Sequence, residues 1–163
     1  MSLHLGVGDL EALPRIAWRW EPETDILAGG LQPTPEGEVA SLELSGHDGS
    51  VVVVDLVGNR LASLDVVVWP EVTTVAGLLP PAPSRRGALL VQAPRPIPAG
   101  EIEVALAVRA SPDEDVIHVR VGAPRPAVVL QAADHLLVEL DEAGGLAGFW
   151  LTGVPPLDGG EGE

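Results

Sequence analysis

The chain has no cysteine, no tyrosine and no lysine, and only one phenylalanine in 163 residues. Without cysteine there is no disulfide, no thiol nucleophile and no cysteine-ligated zinc or iron–sulfur cluster. Without lysine there is no phosphate-cradling G-x-x-x-x-G-K-[ST] loop. No G-x-S-x-G elbow occurs, and Gly6-Val7-Gly8 is too short for a dinucleotide fingerprint. Long apolar runs are missing as well. The longest, such as VVVV at Val51–Val54, fall far short of the roughly 20 residues that a spanning helix needs. The opening MSLHLGVGDL lacks the basic and apolar regions of a secretory leader, so the expected location is the cytoplasm.

What is present is aliphatic and acidic. Apolar residues make up 46% of the chain, enough for a real core, and they are mostly Val, Leu, Ala and Ile. Valine runs favour strands, because a β-branched side chain suits a pleated, half-buried surface. Twenty-four acids against nine arginines give a formal charge of −15. Such a surface repels nucleic-acid phosphates and anionic lipid heads and attracts cations and basic proteins. Nucleic acid and membrane are therefore not expected partners.

The sequence repeats itself. Arg19–Ile26, RWEPETDI, aligns with Arg109–Val116, RASPDEDV, matching Arg19 to Arg109, Pro22 to Pro112 and Asp25 to Asp115. Val51–Val66, VVVVDLVGNRLASLDV, aligns with His135–Leu151, HLLVELDEAGGLAGFWL, matching Asp55 to Glu139 and Ala62 to Ala147. Each half reads as all-β. Proline sets φ for a turn in the first block. Gly58-Asn59 and Gly144-Gly145 supply hairpin turns in the second. Counting by twos puts Leu64, Val66, Phe149 and Leu151 on a core face. Asp65 and Trp150 then share the opposite face.

The predicted fold is a pseudo-two-fold duplicated antiparallel sandwich or flattened barrel with a proline-rich connection. The first half covers 1–72, with its repeat core at 16–69. The connector at 73–103 contains a candidate strand at 88–92 and otherwise reads as an extended linker. The second half covers 104–157, and 158–163 reads as a frayed tail. Each half alone is small for an independent core, so the halves are expected to share one.

The second half resembles a small bacterial family, domain-of-unknown-function family 2283. Its members read approximately Y-D-P-E-A-D-A-L-Y-I-R-L, then G-V-x-x-D-L-D-x-x-G-R-L-V-G-I-E-I. Ser111–Asp115 falls on D-P-E-A-D, Val116–Val121 on the strand and Glu139–Leu146 on D-L-D-x-x-G-R-L. Gly148–Leu151 falls on G-I-E-I, with Trp150 in place of Glu. The first half matches less well, and Ala28-Gly29-Gly30 is expected to break its strand. The resemblance implies a fold and no catalytic residues. It also implies a role as accessory partner of a small toxin-like protein.

The acids Asp113, Glu114 and Asp115 lack the alternation and distal Glu of a calcium loop and read as a turn. His118, His135 and Glu139 are the weak candidates for a metal site, with hydrolase activity as the alternative function. The favoured reading places both histidines on strands facing solvent. Trp150 and Trp69 are the interface candidates, because tryptophan is enriched at hot spots. Trp150 either caps a second core layer or marks an oligomer contact. The expected function is non-enzymatic contact: self-association as a homo-oligomer, and an acidic partner for a basic protein. No cofactor is expected.

Overall fold

The computed structural model describes residues 4–92 and 100–157, all of them strand, turn or loop. Among the described residues fifteen strands build two sheets. The first half supplies β1 (His4–Gly8), β2 (Arg15–Trp20), β3 (Leu27–Gln32), β4 (Val39–Ser45), β5 (Val51–Val57) and β6 (Arg60–Val68). The connector supplies β7 (Val72–Thr74), β8 (Arg85–Arg86), β9 (Ala88–Gln92) and β10 (Gly100–Glu103). The second half supplies β11 (Leu106–Ala110), β12 (Ile117–Val121), β13 (Ala127–Ala133), β14 (Leu136–Asp141) and β15 (Leu146–Leu151).

The two sheets carry the same strand order. The shared run is β2-β3-β6-β5-β4 in sheet one, which also carries β9 and β1 beside β6 and β10 beside β4, and β11-β12-β15-β14-β13 in sheet two, flanked by β7 and β8. The turns agree as well. Glu21 N–H donates to Ile26 O and Thr24 N–H to Glu21 O; Ser111 N–H donates to Val116 O and Glu114 N–H to Ser111 O. Each second hairpin is interrupted at the matching place. The register shifts between Asp55 and Leu56 in sheet one and between Glu139 and Leu140 in sheet two. A β-bulge of this kind adds one residue to one strand. Here that residue is Ala62 in sheet one and Ala147 in sheet two, each passed over in its register. The β5–β6 turn takes φ of 60° at Gly58 and 63° at Asn59, the mirror-image turn that matches strand twist.

Inner faces are aliphatic. Leu64, Val66, Val52 and Leu27 from sheet one and Phe149, Leu151, Val119 and Val138 from sheet two are fully buried in one cluster. The sheets are also tied by hydrogen bonds. Ile16 N–H donates to Asp134 Oδ1 at 2.9 Å, Asp134 N–H to Pro14 O, Trp18 Nε1 to His135 O and Trp20 Nε1 to Pro155 O at 2.8 Å.

Three expectations need correction. The Ala28-Gly29-Gly30 segment does not break its strand: it lies within β3, paired with β2 and β6. Glycine is needed there because a Cβ on Gly29 would stand 2.4 Å from the Trp18 ring. The sheets are mixed rather than purely antiparallel, since β10 runs parallel to β4, β7 to β11 and β8 to β13. Nor is the connector a loose linker. Its residues 72–86 form a strap across the outer face of sheet two, pairing with β11 at one edge and β13 at the other. The tail 158–163 and the connector residues 93–99 lie outside the described residues.

Candidate functional site

The outer face of sheet two gathers the polar residues of interest. Register aligns Arg109 on β11, His118 on β12 and Trp150 on β15 in one transverse row. Glu139 on β14 stands in the next row, opposite Gly148. Alternation turns all of these away from the main core. The row is nevertheless closed over at His118 and Trp150, while Arg109 at its end is exposed. Trp150 packs with Leu78, Val129 and Leu137 in a second buried cluster, joined by Val75 and Val116. The strap lays Leu78 over the indole, and Val75 N–H anchors it on Ala110 O at 2.8 Å.

A chain of hydrogen bonds links the four side chains. Arg109 Nη2 lies 3.2 Å from His118 Nδ1, and His118 Nε2 lies 2.8 Å from Glu139 Oε1. Trp150 Nε1 donates to Glu139 Oε2 at 3.1 Å. Guanidinium can only donate, so Nδ1 is the acceptor and the imidazole proton sits on Nε2, directed at Glu139. The imidazole also lies against the indole, with centroids 4.3 Å apart, and Arg109 Cζ stands 5.9 Å from the centre of the Trp150 ring. Burial pushes the Glu139 carboxyl up, but hydrogen bonds from His118 and Trp150 and the nearby positive charge outweigh it, leaving the carboxyl below its ordinary value. Gly148 makes the arrangement possible. A Cβ there would meet Glu139 Oε1 at 2.5 Å and Val119 O at 2.9 Å.

Both ring nitrogens of His118 are engaged, so neither is presented to a substrate. Among the described residues, every buried side-chain nitrogen or oxygen has a hydrogen-bond partner. The network can therefore hold a tryptophan in one orientation and brace the strap.

Of the three metal candidates, His118 and Glu139 meet but His135 stands apart from both. His118 is buried at 5% exposure rather than facing solvent, because Trp150 and Glu139 cover it. His135 is not on a strand. It is an exposed residue in the β13–β14 turn, with Nδ1 3.1 Å from Thr152 Oγ1. No group of three or more His, Asp or Glu that could hold a metal ion occurs among the described residues. Trp150 is not a surface residue either: at 5% exposure it forms the second core layer. Trp69 is half-buried, stacks 5.8 Å from Trp20 and donates Nε1 to Asp25 O at 2.6 Å. Asp113, Glu114 and Asp115 lie in the exposed β11–β12 turn, where Ser111 Oγ donates to Asp115 Oδ1 at 2.8 Å. Arg109 is the member that the sequence reading did not assign to the site. Its signal is the register match to His118, which becomes readable once both strands are placed.

The corresponding face of sheet one is different. The row matching Arg109–His118–Trp150–Leu137 is Arg19–Ala28–Asp65–Val53. The next row reads Ala17–Gly30–Ser63–Asp55–Ser41. Ser41 and Ser63 hydroxyls both donate to Asp55, the latter at 3.0 Å. Burial first, and then the Asp55 charge, push the Asp65 carboxyl above its ordinary value. An open cleft of about 1030 Å³ lies over β2, β3 and β6, lined by Ala28, Gly30, Ser63, Asp65, Arg15 and Arg19, and reaches round the β2 edge to Asp134, His135 and Pro155 of the second half.

Among the described residues no helix is long and apolar enough to cross a membrane. No protein-family model matches the chain, and no curated protein matches it.

Proposed function

We propose that this protein is a non-enzymatic module that acts by contact with other proteins, built from a duplicated β unit of the family-2283 type. The common strand order, the matching turn bonds and the matching bulges support the duplication. One observation carries the functional reading. In sheet two the strap covers Trp150, His118 is buried beside it, and the polar groups of Arg109, His118, Glu139 and Trp150 are engaged with one another, whereas among the described residues the counterpart face of sheet one is left open. A surface charge of −15 makes a basic protein the fitting partner, and long-range attraction would speed its capture. The short, exposed edge strand β7 offers a route to self-association.

The test is elemental analysis of the purified chain, together with titration against arginine-rich peptides at low and moderate salt. The reading expects no stoichiometric metal and saturable, salt-sensitive binding. Stoichiometric zinc, or no binding of any basic peptide at low salt, would overturn it.

A further inference from the structure

We infer that the outer face of sheet one, open among the described residues, is the seat for an extended, basic segment of a partner protein that crosses it as the strap crosses sheet two, without an exit along β4, whose outer edge is already paired with β10. The inference rests on the contact-module reading and names its site and its anchor residue.

The molecule contains its own precedent. In sheet two an extended segment enters parallel to β11, crosses the face and leaves along β13. Its central anchor, Leu78, sits among Val129, Leu137 and Trp150. The same register positions in sheet one are Ser41, Val53 and Asp65. An aliphatic anchor that suits the first seat does not suit the second, where an aspartate replaces the indole and a serine replaces a valine. Asp65 and Asp55 stand in adjacent rows, and among the described residues neither is in an ion pair. The arginines that line the cleft stand on β2, at the far edge, and Arg19 is engaged with Glu21 at 3.4 Å. The β4–β5–β6 side of the face is thus acidic, with Glu43 exposed on the same side. A lysine or arginine side chain is the complement of that seat. It would bring a donor to Asp65 and share the field of Asp55.

Gly30 sharpens the comparison. Its register partner in sheet two is Arg120, and a Cβ on Gly30 would meet only Ala62 O at 3.9 Å. The space that Arg120 occupies in one half is vacant in the other.

The experiment uses the full chain and two synthetic peptides, titrated by NMR. One copies Pro70–Pro80 of the strap; the other is the same peptide carrying L78R. The expected result is tighter binding of the L78R peptide, with amide shifts centred on Ser63, Asp65 and Val53. Asp65→Asn should raise its Kd about tenfold, the value of one charge-assisted hydrogen bond, and Gly30→Arg, which puts bulk and a like charge in the cleft, should raise it by a similar factor. Glu142→Gln, an equal charge change in an exposed turn of sheet two, should leave Kd unchanged. Preference for the unmodified peptide overturns the basic anchor. Binding of the L78R peptide that ignores both Asp65→Asn and Gly30→Arg overturns the seat while leaving the contact reading standing. Failure of the L78R peptide and of an arginine-rich control alike overturns both.

Discussion

At the scale of single residues, glycine and carboxylate positions decide what each sheet face can do. Gly148 is the clearest case, because any side chain there collides with Glu139 and with the Val119 carbonyl. Gly148→Ala is expected to destabilise the fold by about 1–3 kcal/mol, read as a fall in thermal midpoint, since the backbone carbonyl cannot yield. Glu139→Leu removes the acceptor for His118 and Trp150 together. Leaving those donors buried should cost about 1–3 kcal/mol, measured by urea unfolding. The two acids respond oppositely to pH. The Glu139 value is lowered on folding, so its contribution is present above the ordinary carboxylate range and is lost as pH falls through the lowered value. The Asp65 value is raised on folding, so ionising it costs stability. That penalty is absent below the ordinary aspartate range and develops as pH rises through it to the raised value. Asp65→Asn should therefore raise the thermal midpoint at neutral pH and leave it nearly unchanged near about pH 3, where both states are protonated. A midpoint lowered at neutral pH would refute that assignment.

At the scale of elements, the strap is the feature that distinguishes the two halves. It is short in regular structure, with three paired residues in β7 and two in β8. Its hold depends on Leu78 over Trp150 and on the Val75 bond to Ala110. Leu78→Ala should cost about 2–3 kcal/mol, toward the lower end for a buried leucine because the site lies near the surface. Hydrogen exchange of the Val75 amide should quicken in that variant, while β5–β6 amides keep their protection. Equal quickening in both places would mean that the strap is not a separate layer. Much at this scale was legible beforehand. The hairpins around Gly58-Asn59 and Gly144-Gly145 followed from turn chemistry, and the core face through Leu64 and Phe149 followed from alternation. The strap was not legible. Its proline-rich composition suggests a linker, and its strands pair in parallel with partners far along the chain, which leaves no local periodicity.

At the scale of the whole molecule, the two sheets bury one cluster and exchange hydrogen bonds at Ile16–Asp134 and Trp18–His135. Unfolding should then be a single cooperative transition, with tryptophan fluorescence and far-UV circular dichroism coincident in urea. Two separated transitions would show that the halves hold themselves up independently. The chain by itself determined the strand-rich character, the paired turns, the core register and the acidic surface, because these depend on residue type and on spacing of a few positions. Only the tertiary structure decided that His118 and Trp150 are buried, that His135 stands apart from them, and that among the described residues a strap crosses one outer face and not the other. Those outcomes depend on Leu78 reaching Trp150 and on Asp134 reaching Ile16, contacts between distant residues that no local pattern encodes.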